Sequence, residues 1–176
     1  WQVNPTSVHF MRTPPSTLFA KIKMDIVISN DSGIVTKDHF VLETTPRQNT
    51  EDVLAHSIID LHRYLIKGGH LRLQIWLTDM TDSNNHFSFT DTFTVRLPGS
   101  NAAFYSDIQL LDTVYASATN TIFQKNNQQQ IPLCTNFYDE KRNLVHYYAE
   151  LYNTSALPTA AYPLTQVVFI SKTPGE

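Results

Sequence analysis

The residues in this sequence that could do chemistry begin with its seven histidines. His56, His62 and His70 fall in neighbouring elements. His56 and His62 are an even number of residues apart, so on one straight strand they share a face. With Asp60 they could offer zinc two imidazoles and a carboxylate. No HExxH or similarly tight spacing supports that set, and exposed or locally bonded histidines are the simpler expectation. Asp79, Asp82 and Asp91 could suggest calcium. A calcium loop needs oxygen ligands at fixed spacing, usually around a glycine turn, and Asp79 to Asn85 lacks that pattern. A polar hairpin loop is expected there. Nucleophilic chemistry has no better footing. There is no GxSxG elbow, and Cys134 is the one thiol, with no neighbour that would lower its pKa. Glu150 is a lone strand carboxylate, whereas glycosidases need two across a cleft. Five glycines leave little room for a phosphate-binding loop. No catalytic, cofactor-binding or metal-ligating residue is therefore expected, and no cofactor.

Aromatic residues give the second set of candidates. Trp76, Tyr147, Tyr148 and Tyr152, with Phe137 and Tyr138 nearby in sequence, could form a sugar-stacking platform or a partner surface. Aromatic residues on strands more often serve as core or cross-strand pairs. Trp76, Tyr147, Tyr148 and Tyr152 are the candidate ligand or partner surface.

The elements that must position these residues read as β-strands. The chain has 176 residues, 41% hydrophobic and only 16% charged. Uncharged polar residues fill the gap, with 20 Thr and 12 Asn. Thr suits half-exposed strands and Asn suits turns. A net charge of −3 argues against nucleic-acid binding. A single Cys excludes an internal disulfide framework, and no apolar run is long enough for a membrane span. Leu18 to Ile28 alternates with period two, Asn30-Asp31-Ser32-Gly33 is a turn, and Ile34 to Glu43 returns as its partner. His56 to Ile66 is expected as a strand after a short helical piece. Lys67-Gly68-Gly69 would turn it into a second strand, His70 to Thr78. Phe87, Phe89, Thr92, Phe93, Val95 and Leu97 carry the last strands of this unit. Further strands are expected at Ser106 to Leu111, on both sides of a hairpin tip at Asn126 to Gln129, at Leu144 to Tyr152 and at Leu164 to Ile170.

The fold class expected is all-β. An extended segment over 1–15 leads into an antiparallel sandwich of immunoglobulin or fibronectin type over 16–99. A second β domain over 100–176 has too few strands for a complete sandwich. The chain starts at Trp1 rather than Met, so a processed or excised chain is expected, with a longer parent continuing past Glu176.

The second half carries Ser106-Asp107-Ile108-Gln109-Leu110, Phe123-Gln124-Lys125 with Ile131-Pro132, Asn136-Phe137-Tyr138, and Leu144-Val145-His146-Tyr147-Tyr148-Ala149-Glu150-Leu151-Tyr152-Asn153. This order resembles the region that precedes the GWxTD domain in exported Bacteroidetes proteins. In the first half, Asp31-Ser32-Gly33, Lys67-Gly68-Gly69-His70-Leu71-Arg72-Leu73 and Leu77-Thr78-Asp79 look like that family's G-x-Y-x-L-x-L-x-D hairpin. The resemblance covers about residues 18–171. The GWxTD motif itself does not occur in these 176 residues. The resemblance implies export to the periplasm or outer membrane, often by a lipoprotein signal, and it implies no catalytic residues. The expected function is a non-enzymatic structural or protein-interaction module with a protein partner in the cell envelope. The alternatives are a carbohydrate-binding sandwich with a glycan ligand, and an accessory region of an enzyme whose catalytic part lies downstream. Pairing of a partner to an edge strand suits any open sandwich, but the pattern does not say which strand is exposed.

Overall fold

The computed structural model describes residues 1–14, 16–97, 99, 102–135, 138, 144–154 and 168. The strands in chain order are β1 (Gln2–Val3), β2 (Met11–Thr13), β3 (Thr17–Phe19), β4 (Lys21–Asn30), β5 (Gly33–Glu43), β6 (Ile58–Ile59), β7 (Gly69–Asp79), β8 (His86–Val95), β9 (Phe104–Tyr105), β10 (Gln109–Ala116), β11 (Gln124–Lys125), β12 (Gln128–Pro132), β13 (His146–Tyr148) and β14 (Leu151–Tyr152). Among the described residues these are joined by a short helix, α1 (Thr50–Leu54), and a 3-10 turn at Pro5–Ser7. The fold is all-β and sandwich-like, with antiparallel sheets and no closed barrel. No helix among the described residues is long and apolar enough to cross a membrane.

Two compact units form. One contains Trp1–Leu97 with Ile108–Ala149, the other Pro98–Asp107 with Glu150–Glu176. Each draws on two stretches of chain, where the turn spacing placed one boundary after Gly99.

The first unit is built on a four-stranded sheet in the order β5-β4-β7-β8. Its centre follows directly from the alternation in β4. Ile22, Met24, Ile26 and Ile28 are all buried, while Lys21, Lys23, Asp25 and Val27 face the other way, half-buried. Full burial of such a side chain contributes about 1.5–3 kcal/mol. Gly33 closes the β4–β5 turn at φ +130°, a conformation that favours glycine, and Asn30 Oδ1 accepts from Ser32 N–H at 2.9 Å. The inner face is covered by the first eight residues and by the segment around β6. Val3 packs with Ile22 and Met24, and Tyr64 and Ile66 pack with Ile26, Ile28 and Leu71.

Three expectations need correction. The segment His56 to Ile66 is not a hairpin partner of β7: only Ile58–Ile59 is strand, and it pairs with Gln2–Val3. Its Ile58, His62, Tyr64 and Ile66 pack on the inner face of the sheet, and beyond Ile58–Ile59 its backbone joins no ladder. β7 instead pairs with β4 and β8. The single strand expected at Leu144 to Tyr152 is two. β13 pairs with β10 in the first unit, and β14 with β9 in the second, after a break at Ala149-Glu150. At that break Ser106 N–H donates to the Glu150 carbonyl at 2.8 Å and Ser106 Oγ accepts from Glu150 N–H at 2.8 Å. Third, Ser106 to Leu111 is not one strand: β9 ends before it at Tyr105, and β10 begins within it at Gln109. The hairpin tip narrows to Asn126 and Asn127, at φ 52° and 60°, the double left-handed pair of a tight two-residue turn. The strand expected at Leu164 to Ile170 lies, apart from Val168, outside the described residues, as does Phe137.

Candidate functional site

Two of the aspartates on the inner face of the main sheet, Asp38 and Asp79, sit among apolar neighbours. Their partners decide what covers that face. Asp38 alternates with Phe40 and Leu42 on β5, and Asp79 ends the inward row of β7.

Asp79 is buried at 3% exposure. Its Oδ2 accepts from His9 N–H at 2.7 Å and from Asn85 Nδ2 at 3.2 Å, and lies 3.0 Å from His9 Nδ1. Its Oδ1 accepts from Thr81 N–H at 2.8 Å. Burial pushes this carboxyl up, but these donors outweigh it, and its pKa lies below the ordinary value. Asn85 also donates to the Ser7 carbonyl at 2.8 Å. Asp79 therefore ties the N-terminal segment to the end of β7.

Asp38 anchors the second covering segment. Tyr64 donates its hydroxyl to Asp38 Oδ2 at 2.8 Å, and His62 Nδ1 lies 3.2 Å from the same oxygen. The other ring nitrogen, Nε2, lies 3.1 Å from Asp60 Oδ2. A doubly protonated ring can donate to both carboxylates, a neutral ring to one. The Tyr64 hydrogen bond, with help from His62, holds Asp38 below the ordinary carboxylate value despite burial. Burial and the same carboxylate hold Tyr64 well above the ordinary phenol value. The His62 ring stacks on Phe40 at 4.0 Å and lies 5.2 Å from the Trp1 ring. Trp1 Nε1 is buried without an acceptor. Both nitrogens of His62 are taken by carboxylates, which leaves none to activate a nucleophile.

Between the N-terminal cover and β8 the inner face remains open. A groove of about 450 Å³ lies there. Ile22, Met24, Ile75 and Leu77 form its floor, Trp1, Val3 and Val8 one side, and Phe87 and Phe89 the other, with Asp79, Asn85 and His86 at one end. Phe87 is 61% exposed and Phe89 43%. This size and mainly apolar lining fit a recognition site.

β8 forms the rim, and its backbone phase can be read. Residues in an antiparallel ladder alternate between bonding to one neighbour and pointing to the other side. Asp79 N–H donates to the Asn85 carbonyl at 3.0 Å, and the β7–β8 register continues without a shift. Phe87, Phe89, Asp91, Phe93 and Val95 therefore bond to β7. His86, Ser88, Thr90, Thr92 and Thr94 direct their N–H and C=O groups to the open edge. Thr92 N–H agrees with this phase, since it donates to the neighbouring Asp91 Oδ1 at 2.8 Å. Among the described residues β8 pairs only with β7.

The sequence-derived candidates fall elsewhere. Trp76 lies on β7 on the outer face, opposite Asp25 and Ser88, and is 39% exposed. Tyr147 and Tyr148 belong to the second four-stranded sheet, β11-β12-β10-β13, and Tyr152 to the β9–β14 pair. The four thus stand on three different sheets. Lys125 Nζ lies 4.4 Å over the Tyr148 ring, and Tyr152 stacks on Phe104 at 5.2 Å and donates its hydroxyl to Glu150. The metal candidates are dispersed into local bonds. His56 Nδ1 meets the Asp52 carbonyl at 2.7 Å, and His70 Nδ1 meets Thr94 Oγ1 at 2.8 Å. No metal-holding group of His, Cys, Asp or Glu occurs among the described residues. Asp82 caps a turn through Asn84 N–H at 3.0 Å, and Cys134 is exposed.

Sequence reasoning missed Phe87 and Phe89 as site residues. They are expected only as carriers of the last strands of the first unit, and their period-two pattern is the same for an edge strand as for an inner one. The chain matches no family model, and comparison with curated proteins and with solved structures gave no match.

Proposed function

We propose that this chain is a non-enzymatic protein-interaction module of an exported bacterial envelope protein, periplasmic or outer-membrane-associated. Its partner engages the groove and the adjoining edge of β8. The observation that carries this reading is a ten-residue edge strand in unbroken register beside an apolar groove, with Phe87 and Phe89 exposed. A long edge strand in unbroken register is a template for pairing with another chain. The other edge strand, β5, carries Lys37, and the β4–β5 ladder has a register shift near Ile28/Ser29. β8 has neither a Lys nor a Pro, and no shift; its one charge is Asp91 on the inner face, which discourages any partner that does not answer it. The envelope location rests on the resemblance to the region that precedes GWxTD domains.

The test places a photo-crosslinking amino acid at Thr90 and, separately, at Lys37 in the exported protein. A discrete adduct from Thr90, absent from Lys37 and abolished by Phe87→Ser with Phe89→Ser, supports the reading. Equal labelling from both positions, or none from Thr90, contradicts it.

A further inference from the structure

Asp91 is the single charged side chain along β8. It shares the inner face with Phe87, Phe89 and Phe93, as the register opposite Leu73, Leu77, Ile75 and Leu71 requires. Asp91 is exposed, and its Oδ1 holds Thr92 N–H, a group directed to the open edge. The carboxylate therefore sits on the rim where an added strand would lie. Resting on the proposal that β8 receives a partner, we infer that the partner is an extended segment that adds antiparallel to His86–Thr94, with apolar side chains beside Phe87, Phe89 and Phe93 and a Lys or Arg beside Asp91.

Each element of that pattern has a physical source. The open edge offers C=O groups at alternate residues and N–H groups at all of these except Thr92, whose N–H is held by Asp91, so the segment is held by main-chain bonds whatever its sequence. Side chains of the added strand alternate between the two faces. Those on the inner face extend the apolar row and reach the mouth of the groove, where burial rewards aliphatic or aromatic groups. Those on the outer face continue the row Ser88, Thr90, Thr92 and Thr94, which suits Thr or Ser. Beside Asp91 an apolar or acidic residue would leave a carboxylate partly desolvated or repelled, whereas a cation pairs with it.

The same charge argues against a second copy of this chain. A two-fold pairing of β8 with itself is antiparallel and sets inner face against inner face. In every such register Asp91 meets Phe87, Phe89, Phe93, Val95 or the Asp91 of the other copy. None of these offers a counter-charge.

The test uses the full chain and three seven-residue peptides with capped ends. The first is Val-Thr-Lys-Thr-Val-Thr-Phe, labelled at its N-terminus. The second replaces its Lys with Glu. The third keeps the first sequence but is N-methylated at alternate residues, which removes the main-chain donors. Fluorescence anisotropy at low salt measures affinity. The Lys peptide is expected to bind about fivefold tighter than the Glu peptide, the scale of a cross-strand charge pair. Asp91→Lys should reverse that order, and Asp91→Asn should abolish it. These substitutions are at an exposed position, and circular dichroism checks that the fold is kept. N-methylation, or Thr90→Pro in the protein, should weaken the Lys peptide about tenfold or more by removing edge hydrogen bonds. If the Lys and Glu peptides bind equally while Thr90→Pro still weakens both, the cationic specificity is wrong and the edge reading stands. If no peptide binds, or if N-methylation and Thr90→Pro change nothing, the use of the β8 edge is itself overturned.

Discussion

Replacing Asp79 by Ala should loosen the whole N-terminal cover. The carboxylate accepts two backbone N–H groups, from His9 at 2.7 Å and Thr81 at 2.8 Å, and an amide from Asn85 at 3.2 Å. A hydrogen bond to a charged group contributes about 1.5–3 kcal/mol, and an unpaired buried donor costs about 1–3 kcal/mol. The three bonds do not add, because water reaches the exposed side of Thr81 and His9 once the carboxylate has gone. A net loss of about 2–4 kcal/mol is expected, a large share of the 5–15 kcal/mol typical of a folded domain. Asp79→Asn keeps one oxygen acceptor and should lose about half as much. Urea denaturation gives both numbers. Amide exchange at His9 and Val3 should accelerate in Asp79→Ala while exchange at Ile26 follows only the global loss. A destabilisation under about 1 kcal/mol, or identical losses for the Ala and Asn variants, would refute the assignment of Asp79 as the anchor of this segment.

Three other outcomes follow from the same geometry. Tyr64→Phe removes the hydroxyl that holds Asp38 and should cost about 1–2 kcal/mol by urea denaturation, with the Asp38 carboxyl moving back towards its ordinary value in a carbon-detected NMR titration. Asp25, Asp38 and Asp79 are all held below the ordinary carboxyl value of 3.8, so between the folded and unfolded values the unfolded chain binds more protons. Their stabilisation should be complete above about pH 5 and be lost as pH falls below about 4, read as a falling urea midpoint; a midpoint flat down to pH 3 would contradict the three shifts. Gly33→Ala meets no neighbouring atom but must adopt φ +130°, so a loss of about 1 kcal/mol or more is expected from backbone strain alone, measured by thermal unfolding.

The all-β class and the centre of the main sheet were legible because alternation is local. Leu18 to Ile28 states its buried face residue by residue, and Gly33 marks its turn. The covers were not legible. His62 and Tyr64 reach Asp38 across 24 and 26 positions, and His9 reaches Asp79 across 70. The signal that was available lay in the receivers: Asp38 and Asp79 occupy apolar-facing positions in otherwise alternating strands, which demands a buried partner without naming it. The segment from His56 to Ile66 misled for the same reason. Its alternation is real, but it records contacts made by a cover on the sheet, not membership of the ladder. The distribution of the aromatic candidates was not legible, because ring type says nothing about sheet membership, and Trp76, Tyr147 and Tyr152 belong to three sheets. An edge strand is defined by what does not lie beside it, which no local pattern encodes. Phe87 and Phe89 therefore read only as members of the last strands, and they form a rim.

The most direct test of β8 as the interaction edge is residue-resolved amide exchange along the strand, with and without the Val-Thr-Lys-Thr-Val-Thr-Phe peptide. In the free protein Phe87, Phe89, Asp91 and Phe93 should be protected through β7, while His86, Ser88, Thr90 and Thr94 exchange at rates close to those of an open chain. Saturating peptide, seated with its Lys beside Asp91, should slow Ser88 and Thr90 and leave the first set nearly unchanged. Protection of Ser88 and Thr90 before any peptide is added, or no slowing of them at saturation, would contradict the account.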